Sequence, residues 1–284
     1  MNSEERDILR RHGWGAMDRR GFLESLALIA GGTAAAAALL RGAESGGTAQ
    51  VIPQDDPRLE TGYIKYTGAA GEMRAYSARP KEAGKLAGVI VIHENRGLNP
   101  HTEDIARRVA LEGFQVIAPD ALSPVGGTPA DPDQARALFP KLDPQANTKN
   151  FVAALAYLKT QPRATGKVAV MGFCWGGGMT NQVAVNAPDL TAAVPFYGMP
   201  PAPEEVPKIK AAVLAHYAGD DERINSGIPA FEEALKKAGI DYQIYIYEGA
   251  QHAFMNDTSP RYNKEAAELA WKRTAAFLKD KLKT

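Results

Sequence analysis

The chemistry legible in this chain rests on one thiol, one glycine-flanked turn and one loop histidine. The single cysteine, Cys174, follows the apolar run Val168-Ala169-Val170-Met171-Gly172-Phe173 and precedes Trp175-Gly176-Gly177-Gly178. An apolar run, a Gly-x-Cys-x-Gly step and then a helical pattern read as strand, sharp turn and helix. A nucleophile on so tight a turn stands on strained backbone, and the residues two before and two after it crowd each other unless they lack a Cβ. Those residues are Gly172 and Gly176. The helix expected over 177–186 aims its free amides and positive dipole end at the sulfur, which favours a thiolate and any oxyanion formed beside it. A dinucleotide-binding turn needs glycine where Cys174 stands, so the spacing excludes that reading. The plain alternative is a small, inert, buried thiol.

A cysteine nucleophile needs a base. His12 precedes the signal-like N-terminal segment, His93 and His101 flank the loop after the third strand, and His216 sits inside an apolar strand as a core residue. His252 differs, because Glu248-Gly249-Ala250-Gln251-His252-Ala253-Phe254 lies just beyond the last strand and before the last helix. From there a loop can carry an imidazole over the tip of the central strand, the position of a general base. The imidazole in turn needs an acceptor that fixes its tautomer and stabilises its charged form. Gly219-Asp220-Asp221-Glu222 offers two carboxylates, and Asp221 is the expected partner because the acid usually stands slightly beyond the strand. The order nucleophile, acid, histidine is that of α/β-hydrolases.

The elements that must position these groups alternate in kind. Two strands around 63–66 and 72–76 read as a hairpin, followed by strands at 87–92, 114–118, 168–173, 192–197, 211–216 and 242–247. Helices are expected over 102–112, 148–159, 177–186, 228–238 and 264–281, with a short helical hint at 134–139. The run at 87–92 is continuously apolar, as a parallel strand covered on both faces requires. This is an α/β pattern: a mainly parallel, doubly wound sheet with helices on both faces and sites at the carboxyl ends of its strands. The Pro/Gly/Asp-rich excursion over 121–144 has the length of a lid or a binding wall.

The N-terminal stretch reads as something other than fold. Arg19-Arg20-Gly21-Phe22-Leu23 opens an alanine-rich apolar run to Leu40, the pattern of a twin-arginine export signal. Cleavage after Ala49 is expected, with Ala43 an alternative and Met17 an alternative start. The expected organisation is a signal and cleavage region over 1–49, a linker over 50–60 and one catalytic domain over 61–284. The export machinery is then a partner and the location periplasmic or exported, with a membrane-tethered form as the alternative. Lys plus Arg and Asp plus Glu number 33 each, so no field of one sign recommends nucleic acid. One cysteine excludes an internal disulfide and a cysteine-rich metal cluster.

Taken together, His93-Glu94 with Gly97-Leu98-Asn99, Pro119-Asp120, Gly172-Phe173-Cys174-Trp175-Gly176-Gly177, the segment from His216 through Asp221, and His252-Ala253-Phe254 resemble the dienelactone hydrolase (carboxymethylenebutenolidase-like) family of α/β-hydrolases. The resemblance runs from about residue 63 to the C-terminus. It implies the α/β-hydrolase fold and a Cys174–His252–Asp221 triad acting on small esters or lactones through a thioacyl intermediate. It also implies that Glu94 is a fourth residue, contacting the resting thiol and releasing it when substrate binds. Backbone amides of Trp175 and Asn95 are the expected oxyanion donors, and neither metal nor organic cofactor is implied. In the family two arginines grip a substrate carboxylate; their places here hold Pro124 and Asn256. Arg96 or Arg261 is the candidate replacement, neither at a matching position, and neutral small esters or lactones are expected to be turned over at least as well as matched carboxylate-bearing ones. The reading from another class is a non-catalytic or thiol-reactive binding protein on the same fold.

Overall fold

The computed structural model describes residues 52–69 and 71–283; the stretch at 1–49 that reads as a twin-arginine signal lies outside them. Its centre is an eight-stranded sheet in the order β1-β2-β4-β3-β5-β6-β7-β8. β1 (Leu59–Gly68) and β2 (Gly71–Pro80) form the expected antiparallel hairpin, and β2 pairs antiparallel with β4 (Gln115–Pro119). From β4 onward the sheet is parallel, through β3 (Leu86–Ile92), β5 (Ala164–Phe173), β6 (Ala192–Phe196), β7 (Ala212–Asp220) and β8 (Tyr242–Gln251). The chain leaves β3 for a neighbour on one side, β4, and later returns to the other side as β5. That reversal of direction opens a crevice at the strands' carboxyl ends, where ligands of open α/β sheets bind.

Alternating side chains of the central strands feed two separate cores, which is why those strands read as unbroken apolar runs. Val89, Val91, Ala169 and Met171 pack on one face with α1 (Pro100–Leu111) and α7 (Lys264–Lys281). Ile90, Ile92, Val168 and Val170 pack on the other with α3 (Pro144–Lys159), α4 (Trp175–Asn186) and α6 (Ile228–Lys237). The remaining helices are the short α2 (Pro132–Leu138) and α5 (Glu222–Asn225).

Helix starts differ from the sequence reading in one consistent way. α1, α2 and α3 each begin with a proline after an Asx residue, at Asn99-Pro100, Asp131-Pro132 and Asp143-Pro144. The Asx side chain accepts from first-turn amides: Asn99 from Thr102, Asp131 from Asp133 and Gln134, Asp143 from Ala146. Proline costs nothing there, because its missing N–H is one that would lack a helical partner anyway. The helices therefore start two to four residues earlier than the periodic apolar pattern. β7 and β8 run longer than expected, since Asp220 pairs with Gln251 across an irregularity after Ala218. The span read as linker is not free of the domain either. β1 begins at Leu59, the Ile52 amide donates to Asp104 Oδ1 at 2.8 Å, and Arg107 Nε donates to the Ile52 carbonyl at 2.8 Å.

The turn from β5 into α4 is packed backbone against backbone. A Cβ on Gly172 would lie 2.2 Å from the Gly176 carbonyl oxygen, so that crowding is as the turn pattern requires. A Cβ on Gly176 would meet the carbonyls of Ile92 and His93 at 2.5 and 2.4 Å, and Gly177 and Gly198 exclude each other's Cβ in the same manner. Gly198→Ala, with its new methyl 2.1 Å from the Gly177 carbonyl carbon, is expected to cost about 1 to 3 kcal/mol or more and to lower activity with it. Chemical denaturation checks this, and wild-type stability in that variant would show that α4 can move away from β6 freely.

Candidate active site

Cys174 caps α4 with φ 57° and ψ −115°, a conformation that non-glycine residues rarely adopt. Its amide donates to the Phe196 carbonyl at 3.0 Å, and its carbonyl accepts from Gly178 at 3.1 Å. The thiol lines a cavity of about 550 Å³ whose walls come from Asn95, Arg136, Phe139, Trp175, Tyr197 and Arg223, among others. Among the described residues only Cys174, Tyr197 and Ala253 have positive φ without being glycine. All three stand at or just beyond the carboxyl end of a strand: β5, β6 and β8. Strain gathered at one rim of the sheet marks a working site.

His252 and Asp221 meet there. The imidazole Nδ1 lies 2.5 Å from Asp221 Oδ2, with Asp221 buried and His252 half-buried. A carboxylate accepts only, so Nδ1 carries the proton and Nε2 is left as the basic nitrogen. Asp220 points elsewhere; it is exposed and lies within β7. The Tyr197 ring packs 5.0 Å from the imidazole, centroid to centroid. Behind His252 the loop is tied to α1, because Asp257 accepts from His101 at 3.0 Å and from Arg108 at 2.5 Å. Burial pushes the Asp257 carboxyl up, but those two bonds outweigh it and hold it down at about 2.

The thiol is not the acidic one that the helix dipole alone suggests. Burial pushes Cys174 up to about 11, and the negative charge of Glu94 adds to the shift. A hydrogen bond from the Trp175 amide and the charges of Arg223 and Arg261 oppose it without prevailing. Among the described residues the thiol makes no hydrogen bond to His252. Glu94 is held by neutral donors: Tyr197 Oη at 3.3 Å on Oε1 and Asn256 Nδ2 at 2.8 Å on Oε2. Tyr197 is fully buried, and burial together with Glu94 raises its hydroxyl well above the usual range.

The loop after β3 is braced by a histidine that position alone sets aside. The Ala121 amide donates to His93 Nε2 at 3.1 Å, which leaves Nδ1 to donate to the Glu94 carbonyl at 2.7 Å. Complete burial lowers the His93 pKa and keeps the ring neutral. Its face stacks on Trp175 at 5.8 Å, and Phe139 closes edge-on against Trp175 at 4.8 Å. His216 lies in the core, with Tyr247 and Thr274 hydroxyls at 2.9 and 3.0 Å from its two nitrogens.

The excursion over 121–144 forms a wall, fastened to the rest by Asp120. The buried Asp120 carboxylate accepts from the Thr128 amide and hydroxyl at 2.8 and 2.7 Å, and Thr128 Oγ1 accepts from the Leu98 amide at 3.0 Å. Gly97, at φ 75°, has no room for a Cβ against Thr128.

Arg96 does not reach the cavity as the sequence suggests. It is not among the lining residues, and its guanidinium pairs instead with Asp133 on α2, at 2.6 Å. Arg261 is exposed and acts on the thiol only through its field. Arg136 and Arg223, which the sequence reading passes over, line the cavity instead, and neither forms an ion pair among the described residues. No motif signals them; Arg136 lies in the excursion and Arg223 two residues after Asp221. Among the described residues no group of three or more His, Cys, Asp or Glu is disposed to hold a metal ion.

Comparison with known proteins agrees with this arrangement. The profile of the dienelactone hydrolase family matches residues 73–282. A protein of Saccharolobus solfataricus, provisionally named a carboxymethylenebutenolidase, is 36% identical over 254 residues, covering 76% of this chain and 97% of its own. An Escherichia coli protein of the same provisional name is 31% identical, covering 81% and 90%. Among solved structures, a provisionally named dienelactone hydrolase of Klebsiella pneumoniae superposes with a TM-score of 0.70 at 29% identity, covering 77% of this chain and 97% of that one. A dienelactone-hydrolase-like promiscuous phosphotriesterase from metagenomic libraries gives 0.71 at 25% identity, covering 79% and 99%. The α/β-hydrolase sheet, the matched span and the length of the relatives covered lead to one assignment: this chain belongs to the dienelactone hydrolase family.

Proposed function

We propose that the protein hydrolyses small esters or lactones through a Cys174–His252–Asp221 triad and a thioacyl intermediate. The observation that carries the reading is the 2.5 Å bond between His252 Nδ1 and Asp221 Oδ2 beside the strained turn that bears the only cysteine. Asp221 fixes the tautomer, so Nε2 takes the thiol proton as Sγ turns toward it and attacks the carbonyl carbon. The carbonyl π pair moves onto oxygen, where amides of Trp175 and Asn95 meet it. Collapse expels the alcohol oxygen, which leaves with the proton from His252. Water then attacks the thioester, His252 takes its proton, and the sulfur departs to regain it. The Glu94 charge disfavours the free thiolate, so on this reading the thiol loses its proton only in concert with attack.

Cys174→Ala is expected to abolish turnover while the fold persists, since the side chain stands at the sheet's rim. Rate losses of about 10⁴-fold or more are typical of a removed nucleophile or base, so His252→Ala should be nearly as damaging. Asp221→Asn should lower kcat strongly through tautomer and charge, and Asp220→Asn should not. Steady-state kinetics on an activated aryl ester decide this, and a product burst that vanishes on alkylation separates an enzyme from a thiol-reactive binding protein. Full activity in Cys174→Ala would end the thiol mechanism.

The substrate reading rests on the walls rather than the missing family arginines. Two guanidinium groups without ion-pair partners among the described residues, Arg136 and Arg223, line the cavity, so carboxylate-bearing substrates are favoured over matched neutral ones. Both side chains are exposed, and solvent limits each contact to about 0.5 to 1 kcal/mol, or about two- to fivefold in kcat/KM. Arg136→Ala and Arg223→Ala should each reduce the anion preference by that factor, and Arg96→Ala should leave it unchanged. Equal kcat/KM for the charged and neutral members of a pair in wild type would refute the assignment.

We propose that residues 1–49 direct twin-arginine export. Paired guanidinium groups at Arg19 and Arg20 ahead of an apolar run support this. Arg19→Lys with Arg20→Lys should hold the protein in the cytoplasm on fractionation; unchanged periplasmic recovery would sink the claim.

A further inference from the structure

Three glycines follow Trp175, and packing accounts for only two of them. A Cβ on Gly176 would lie 2.4 Å from the His93 carbonyl oxygen, and one on Gly177 would lie 2.4 Å from that of Phe196, so nothing larger than hydrogen fits at either place. Gly178 is under no such constraint. The nearest atoms to its Cβ would be the Met199 amide nitrogen at 3.6 Å and the Met199 Cβ and carbonyl oxygen at 3.8 Å, which are ordinary van der Waals contacts. It is not among the glycines with positive φ, and its amide donates to the Cys174 carbonyl at 3.1 Å within α4. In a helix glycine loses more conformational freedom on folding than alanine does. Alanine fits the space and suits the helix better, so the missing methyl serves something other than the fold.

Gly178 lines the cavity that holds the thiol, as does the Met199 it faces. Met199 is 47% exposed although long and apolar, and Met179 and Pro200 line the same cavity. The gap between Gly178 and Met199 has a fixed width. Buried Asn181, further along α4, donates from Nδ2 to the Met199 carbonyl at 2.9 Å, and the Gly177–Gly198 contact holds α4 against the end of β6. One side of the gap is bare backbone; the other is a flexible thioether side chain, which adapts to varied apolar shapes. The cavity of about 550 Å³ lies within the range of about 300 to 1,000 Å³ that takes drug-sized ligands, far larger than a simple acetyl ester. On the proposed mechanism the alcohol oxygen must reach His252 to leave with its proton. His252 is not among the lining residues, whereas Cys174 and Trp175 are, so the part of the substrate that fills this cavity is the acyl group.

We propose that Gly178 is a specificity-determining residue: its missing side chain keeps open an apolar acyl subsite against Met199, which favours esters or lactones whose acyl part carries an apolar group of aryl size. The proposal rests on the reading of Cys174 as nucleophile and adds the acyl class to it. Arg136 and Arg223 belong to the exposed walls of the same cavity, so a carboxylate on such a substrate and its apolar group are met by different side chains. Helix stability is given up at Gly178 in exchange for room, a trade that sites of this kind make where a more stable residue would obstruct the ligand.

The test compares p-nitrophenyl acetate with p-nitrophenyl benzoate, which share a leaving group, so that a change in the ratio of their kcat/KM values between variants reads acyl fit. Gly178→Ala should lower the benzoate-to-acetate ratio by about tenfold, the scale on which one methyl group counts in an apolar pocket. The same substitution should raise the thermal midpoint by about 2 to 4 °C. Adding Met199→Ala, which clears the facing wall, should return the ratio toward that of wild type. In a second series the acetyl group is kept and the alcohol enlarged, and there Gly178→Ala should leave the ratio where it is. A lowered midpoint or a failure to fold would show that the glycine is there for the fold, and overturns the proposal. So does an unmoved benzoate-to-acetate ratio in folded Gly178→Ala, or a ratio that moves only when the alcohol is enlarged. These results leave Cys174, His252 and Asp221 as proposed, whereas a wild type that turns over neither ester takes the triad reading down with the subsite.

Discussion

Everything at this site depends on how closely two peptide backbones can approach where β5 becomes α4. Changing direction within one residue brings the carbonyl of Gly176 within 2.2 Å of where a Gly172 Cβ would be, and α4 starts directly beneath the Ile92 and His93 carbonyls. Only glycines allow this contact, and it leaves Cys174 at φ 57°. Backbone strain of that kind costs on the order of 1 to 3 kcal/mol and persists only where the surroundings over-determine it. Here the sheet does so, since β5 is paired on both sides and the Cys174 amide is bonded to the end of β6. The strained turn also brings the loop after β3 next to the thiol.

The electrostatics of the thiol are a contest between a helix end and burial. An N-terminal dipole contributes about 0.3 to 1 kcal/mol to a charge beside it, whereas removing a charge from water costs several kcal/mol per ion. Burial wins at Cys174, and Glu94 reinforces it. The imidazole packs against Tyr197 and is bonded to a buried carboxylate, in a loop fastened to α1 through Asp257. The site therefore combines a thiol held back from ionising with an imidazole fixed in place.

The alternation of strands and helices, the two-faced burial of β3 and the elbow at Cys174 were legible because each arises from local pattern. So was the pairing of Asp221 with His252, because chain order and loop position point to it. The starts of α1, α2 and α3 were not, because proline reads as a helix breaker while its first-turn use depends on the Asx cap before it. Arg136 and Arg223 escaped notice because charged residues on an exposed helix and turn look like solvated surface until the fold turns them toward one cavity. His93 was passed over because its partners, the Glu94 carbonyl and the Ala121 amide, are backbone atoms that no side-chain pattern announces. The thiol's acidity is not legible in the same way, because the dipole is visible in the motif and the surrounding burial is not.

The excursion over 121–144 leaves β4 at Asp120 and is drawn back by the same carboxylate, through Thr128, to the loop after β3. Its first fastening thus comes before α2 begins; the remainder is held by Asp133 on Arg96 and by Phe139 on Trp175, and contributes Arg136, Phe139 and Pro140 to the cavity. In this architecture one wall of the cavity and the residues proposed for bond breaking lie on different stretches of chain.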